Sequence, residues 1–191
     1  PMQVEIARVA RGIHIDWPAQ ARHSTVELRF DQIQRAIGQR RKLRMTYISF
    51  YERSQIVTEL SPYQLLYHQR AWYVIGHSGM HNSVRTFKLG RIKDLVALDK
   101  LYVPDEKFTL AGYLGNAWGI IPEGRQYQVK LKFSPMVAAN VAEVNWHRTQ
   151  QVDFEPDGSA IFTATVDGLG EISWWILGYG DQVEVLQPQP L

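Results

Sequence analysis

The chain has 191 residues, 45% of them hydrophobic and 21% charged, the balance of a folded globular protein with room for one large domain or two small ones. It has no cysteine, which excludes disulfides and Cys-ligated zinc or iron–sulfur sites and is compatible with a reducing cytosol, so a cytoplasmic location is expected. The net charge of +2 conceals an asymmetry: residues 1–100 carry 16 Lys+Arg against 8 Asp+Glu, a net of +8, while residues 101–191 carry 5 against 11, a net of −6. A basic half is suited to a polyanion, although two differently solvated surfaces give the same numbers. No apolar run approaches the roughly 20 residues that span a bilayer. No charged-then-apolar N-terminal segment suggests a signal peptide, so no membrane partner is expected.

Residues 1–23 are interrupted by Gly12 and Pro18 and read as a connecting segment with a possible short helix. "STVELRF" (24–30) alternates and reads as a strand, giving a connecting region over 1–30. Asp31 suits an N-cap, and Ile33, Ala36 and Ile37 at i, i+3, i+4 predict an amphipathic helix over 32–41 that ends in Arg40, Arg41 and Lys42. Strands follow. "KLRMTYISF" alternates, "QIVTELSP" stops at Pro62, and "YQLLYHQRAWYVIGHS" reads as two strands around a turn near His68, Gln69 and Arg70. "SVRTFKL" and "DLVALD" complete about five short strands, which predict a small antiparallel barrel or sandwich over 31–100.

Residues 101–125 have no clean period and are broken by Pro104, Gly112, Gly115, Gly119, Pro122 and Gly124. They read as a linker with a short helix near 108–117, from which Phe108, Tyr113 and Trp118 could dock onto the barrel. Over 126–191, "YQVKLKF" is a strand and "SPMVAANVAE" a helix opened by Ser134 and Pro135. "EVNWHRTQQVDFE" and "AIFTATV" are strands joined at "PDGS", "GEISWWILGYG" is an apolar helix, and "QVEVLQP" is a last strand. The order β-α-β-β-α-β is that of a ferredoxin-like unit. The fold class expected for the whole chain is therefore α+β.

The segment 70–95 holds five Lys or Arg and three aromatics. "RAWYVIGHS" followed by "VRTFKLGRI" resembles the WYL domain of bacterial transcription regulators. Trp72-Tyr73-Val74 departs from that family's triplet only in its third residue, and Arg85-Thr86-Phe87 with Arg91-Ile92 matches its second hallmark. "AIGQRRKLRMTY" and "LSPYQLLY" are similar to the opening of that domain, and "YQVKLKFSP" through "WWILGYGDQVEVLQP" to the extension that often follows it, so the likeness spans roughly 30–190. The resemblance implies a small Sm- or SH3-like barrel that senses an effector, with single-stranded nucleic acid one such effector, ahead of the ferredoxin-like extension. It also implies a winged helix-turn-helix upstream that binds promoter DNA; the start at Pro1 fits a chain that lacks it.

Arg85, Phe87 and Leu89 share strand parity, with Arg91 beyond Gly90, and Tyr73, Ile75 and His77 share one face of their strand. Guanidinium groups bind phosphate bidentately and aromatics stack bases, so Arg85 and Arg91 with Tyr73 form a candidate anion or nucleic-acid site. Arg44, Tyr47 and Ser49 on the first strand, and His77, could complete it. The competing readings are that Arg85 and Arg91 pair with Asp94 or a nearby carboxylate and hold the barrel rim, that Tyr47 and Trp72 are core, and that His77 is a satisfied rim residue. His77 and His81 lack an accompanying carboxylate motif, so no metal or other cofactor is expected. No paired acid–base arrangement is legible, and no enzymatic activity is assigned. Two functions from different classes stand. One is an effector-sensing and dimerising region of a transcription regulator. The other is a structural oligomerisation module without a small ligand.

Overall fold

The computed structural model describes residues 24–189 and 191. The short helix expected within 1–23 lies outside the described residues. The chain divides into two units, Pro1–Ser83 with Phe87–Tyr102, and Val84–Thr86 with Val103–Leu191.

In the first unit, helix α1 spans Ser24–Gly38. Its buried stripe is Val26, Phe30, Ile33, Ala36 and Ile37, at helical spacing throughout. The strand expected over 24–30 is thus corrected: the apparent alternation there includes Leu28, which is exposed, while Val26 and Phe30 continue the helical stripe of Ile33. Asp31 lies in mid-helix and is no N-cap. The helix ends three residues earlier than expected, where Arg40 turns to φ 52°, so Arg41 and Lys42 open a strand and are not helix-terminal cations.

Strands β1 (Arg41–Ser49), β2 (Ser54–His68), β3 (Ala71–Ser78), β4 (Ser83–Lys88) and β5 (Ile92–Leu101) form one antiparallel sheet in the order β4-β3-β2-β1-β5. Leu43, Met45, Tyr47 and Ser49 of β1 all point inward and are at least 94% buried, as a period of two requires. β2 does not stop at Pro62. It runs on for 15 residues, pairing first with β1 and then with β3. Pro62 is accommodated because the register shifts between Pro62 and Gln64, a bulge at which no ladder donor is missed. The Pro62 carbonyl accepts the Tyr102 hydroxyl. Opposite Pro62 sits Gly76, where a Cβ would lie 2.3 Å from the Ser61 carbonyl oxygen, so a side chain there is excluded by backbone. The expected turn at 68–70 is present, with Gln69 and Arg70 both at positive φ. A 3-10 turn, Leu89–Arg91, links β4 to β5. The five strands run from one edge, β4, to the other, β5, and no closed barrel is present among the described residues. Ile33 of α1 is fully buried in one core cluster with Leu43, Met45, Leu60, Val74, Leu89 and Ile92.

The second unit contains α2 (Leu110–Leu114), β6 (Gln126–Phe133), α3 (Pro135–Ala142), β7 (Gln151–Phe154), β8 (Ala160–Asp167), α4 (Gly170–Leu177) and β9 (Val183–Gln187). From β6 onward the elements follow in the order β-α-β-β-α-β, in an antiparallel sheet β7-β8-β6-β9. Two details differ from expectation. The strand expected over 143–155 shrinks to four residues, because Gln150 accepts the backbone N–H groups of Trp146 and His147 and holds that stretch as a loop. Trp118, which the sequence assigns to the linker, stacks on His147 at 5.6 Å and packs against Trp175 at 4.7 Å in the second unit's own core.

Residues 119–125 are held by carboxylates. Glu171 accepts the backbone N–H groups of Gly119, Ile120 and Ile121. A single oxygen of Asp167 accepts those of Glu123, Gly124 and Arg125. Glu123 in turn caps α4 by accepting from Leu169 and Gly170. The apolar helix α4 splits its surface. Ile172 and Ile176 are buried and Trp175 sits among Trp118, Trp146, Phe133 and Phe162, but Trp174 and Leu177 remain 77% and 68% exposed.

Candidate nucleic-acid interface

The turn between β1 and β2 projects two aromatic rings from a basic unit. Phe50 is 66% exposed and Tyr51 94%. The guanidinium carbon of Arg91, presented by the 3-10 turn after β4, lies 3.9 Å from the centroid of the Phe50 ring. That is a cation–π contact made by a ring that keeps most of its surface in water.

A chain of hydrogen bonds fixes this turn from below. The Glu52 backbone N–H donates to Ser49 Oγ at 3.2 Å. The Glu52 carboxylate meets His81 Nε2 at 3.1 Å, His81 Nδ1 meets Ser78 Oγ at 2.8 Å, and Ser78 Oγ meets Thr58 Oγ1 at 2.9 Å. Ser78 is fully buried and Thr58 nearly so, so the relay stiffens the β1–β2 turn without offering a reactive hydroxyl.

The residues expected to form the site are distributed unequally. Arg91 stands beside Phe50, and among the described residues it makes no ion pair with Asp94, which lies opposite Thr46 on β1. Tyr47 is 6% exposed; its ring packs edge-on against Phe87 at 5.1 Å and its hydroxyl accepts the Lys88 N–H at 3.3 Å. It is core, as is Ser49, whose hydroxyl holds the turn. Arg44 is exposed on the face of β1 opposite to Tyr47 and Ser49, across from Glu59 and Val96, so these three do not converge. Tyr73 and His77 are half-buried on β3, opposite Leu66 and Ser61. Trp72 packs on Phe30 at 4.7 Å and Tyr67 at 5.2 Å, a structural role.

Arg85 is exposed on the stretch of β4 that groups with the second unit. There Thr86 Oγ1 bonds the Tyr113 hydroxyl at 2.9 Å and donates to the Ile120 carbonyl at 3.1 Å. Burial raises the pKa of the Tyr113 phenol, against the lowering by the Thr86 bond and the Arg85 charge, so the phenol keeps its proton at neutral pH.

Phe50 and Tyr51 are the residues that sequence reasoning missed. Adjacent aromatics at the end of an alternating strand read as its last inward and outward positions. The turn signal that would have set them outside the strand, Arg53 at φ 51°, is not a glycine and leaves no mark in the sequence. No cluster of His, Asp or Glu among the described residues could hold a metal ion. None of the described helices is long and apolar enough to cross a membrane.

Comparison with protein families places two domains on the chain: residues 29–97 match the WYL domain and residues 125–191 the WCX domain. The chain carries a WYL domain followed by a WCX domain. Phe50, Tyr51 and Arg91 all fall within the WYL domain, and Trp174 and Leu177 within the WCX domain. Among solved structures, the proteasome accessory factor B/C (PafBC) of Arthrobacter aurescens is 20% identical, with a TM-score of 0.43 over 97% of this chain and 27% of that one. A CRISPR Cas-related protein is 13% identical, with a TM-score of 0.60 over 86% of this chain and 48% of that one. The WYL–WCX chain thus spans less than half the length of either, and the second likeness is one of fold. No curated protein matches it.

Proposed function

We propose that this WYL–WCX chain is the effector-sensing and dimerising region of a bacterial transcription regulator, and that its WYL domain binds single-stranded nucleic acid or a nucleotide-like anion. The observation that carries the reading is the Arg91 guanidinium 3.9 Å from the ring of a largely exposed Phe50, beside an almost fully exposed Tyr51. A cation for phosphate next to aromatic faces for bases is the general chemistry of single-strand recognition. Tyr73 supplies a further ring, Arg44 and His77 act at longer range, and Arg85 is proposed as a separate exposed cation. Tyr47 and Ser49 serve by holding the scaffold. No catalytic step is assigned.

The sheet order β4-β3-β2-β1-β5 with a helix ahead of β1 supports an Sm-like curl of the WYL sheet, and the order β7-β8-β6-β9 supports a ferredoxin-like WCX domain. In this reading promoter DNA is bound by a winged helix-turn-helix of the same regulator. Two-fold symmetry comes from the WCX domain, where exposed Trp174 and Leu177 favour self-association. That same apolar pair supports the second reading, an oligomerisation module with no small ligand.

Fluorescence anisotropy of a labelled single-stranded oligonucleotide, titrated with residues 1–191 at several salt concentrations, tests the proposal. Saturable, salt-sensitive binding that is weakened by Arg91→Ala supports it. A flat titration at low salt leaves the oligomerisation module as the function.

A further inference from the structure

A concavity lies in the WYL domain, lined by elements other than the Phe50–Arg91 turn. It opens between α1, β1 and β5 and encloses about 310 Å³. The floor is apolar: Ala36, Leu43 and Leu95 are 3%, 1% and 8% exposed. The rim is polar and comes from two elements. Gln32, Arg35 and Gln39 stand at i, i+3 and i+7 on one stripe of α1, and Arg41 opens β1.

The rim groups are largely uncommitted. Among the described residues the side-chain amides of Gln32 and Gln39 make no hydrogen bond. Arg35 uses its Nε–H on the Asp31 carbonyl at 3.2 Å, and among the described residues its terminal nitrogens make no further bond. Arg41 donates to the Leu98 carbonyl at 3.4 Å and to Asp99 at 3.1 Å. The Asp99 side chain is 99% exposed, and a pair so solvated contributes at most about 1 kcal/mol, so a better-placed carboxylate can replace it. Two guanidinium groups and two free amides above a dry floor accept an anion joined to an apolar body. The volume sets the size. Ligand pockets run from about 300 to 1,000 Å³, so this one has room for one or two fused rings or a short chain, not for an oligonucleotide.

We propose that this cavity binds a small amphiphilic carboxylate, its apolar body seated on Leu43 and Leu95 and its carboxylate held by Arg35 and Arg41. The site is separate from the nucleic-acid interface and does not depend on it. A chain with both would read two chemically distinct signals in one WYL domain.

The test is methyl NMR on residues 1–191 with 2-naphthoate as the probe, 2-naphthamide as its neutral counterpart and inorganic phosphate as an anion without an apolar body. The expected result is saturable movement of the Leu43 and Leu95 methyl resonances with 2-naphthoate. Loss of the carboxylate in the amide, or of one cation in Arg35→Gln or Arg41→Gln, should weaken binding by about tenfold or more, the scale of one charge-assisted bond. Ala97→Trp, which plugs the mouth from β5, should abolish it; Ala97 is exposed, and the Arg35→Gln variant decides the matter if the plugged chain does not fold. The proposal is overturned if those methyls do not move with up to about 10 mM naphthoate, a Kd weaker than any specific site of this kind. Equal binding of the naphthamide overturns it as well, since the cavity is then only an apolar crevice.

Discussion

One oxygen of Asp167 accepts three consecutive backbone N–H groups, with Gly124 the closest donor at 2.7 Å. A carboxylate in such a nest anchors the chain entering β6 to the end of β8. Asp167→Ala should leave three donors to water and destabilise the WCX domain by about 1–3 kcal/mol, read as a lower urea midpoint. Asp167→Asn keeps an acceptor without the charge and should recover part of the loss. If Asp167→Ala unfolds at the midpoint of the parent, the nest carries no stability.

The WYL turn separates charge from stacking. Arg91→Ala should reduce the dependence of log K on log salt by about 0.7 for a single strand. Phe50→Ala and Tyr51→Ala should each weaken binding by about 1–3 kcal/mol per stacked base and leave the slope unchanged. The thermal melt of Tyr51→Ala should match the parent, because that ring is almost fully exposed, whereas Arg91→Ala and Phe50→Ala each lose one cation–π contact and about 0.5–1 kcal/mol. Anisotropy titrations across a salt series measure both quantities together, and a slope change in Tyr51→Ala would contradict the division of labour.

His147 gives the WCX domain a pH dependence. Burial, the leading cause, holds its pKa below the usual 6.5, against two backbone hydrogen bonds that raise it. The folded state therefore binds its proton less readily than the unfolded state. The stability this confers is complete above pH 6.5 and is lost as pH falls from there toward the lower folded-state pKa. The Lys132–Glu155–Asp157 cluster acts in the same sense but lower on the scale. Bonding to Lys132 lowers Glu155, bonding to Ser159 lowers Asp157, and both titrate below the usual 4.5 and 3.8. Urea midpoints should thus fall between pH 7.5 and 5.5 in the parent and much less in His147→Gln, which still pairs with Thr149 but does not charge. An equal fall in both would remove His147 as the cause.

Gln69 and Arg70 join β2 to β3 at φ 41° and 69°, the conformation that asparagine and glycine favour. Replacing the pair with Asn-Gly should stabilise the WYL domain by about 1 kcal/mol, since left-handed backbone costs ordinary residues about that much. A raised urea midpoint with unchanged oligonucleotide affinity is the expected outcome.

Trp174 and Leu177 point outward from a helix whose other face is saturated with aromatics. Light scattering of the parent should give twice the chain mass of 22.0 kDa, and Trp174→Lys with Leu177→Lys should return it to a monomer without lowering the helical circular dichroism. A parent at 22.0 kDa over a wide concentration range would exclude the dimer.

Regular elements were legible where periodicity and punctuation agreed. Pro135 at the first helical position marked α3 and "PDGS" marked the β7–β8 turn, because helix-start and turn chemistry are local; the Ser134 hydroxyl makes no cap bond and meets Gln182 instead. Pattern failed where a tertiary partner decided. Val26 and Phe30 alternate with polar residues, yet Ile33 and the sheet recruit them into a helix. Pro62 reads as a strand end, yet a bulge carries β2 past it. The site was legible in part. Arg91 was named from its place in the chain, but Phe50, its ring partner, is brought to it by a turn from another part of the chain. Tyr47 looked equally suited to core or pocket, and only its contact with Phe87 separates the two.

The meeting of Gly76 with Pro62 also acts as an alignment pin for the WYL sheet. Adjacent strands can in principle slide, and a slip of one residue would turn Trp72 and Val74 toward the wrong face. At the bulge, however, only a residue without a side chain can lie against the Ser61 carbonyl and the Pro62 backbone. A shift in either direction would bring Ile75 or His77 to that spot. Misaligned pairings are therefore excluded by collision and not merely disfavoured by exposure, so β2 and β3 can assemble in one register before any ligand or partner is present.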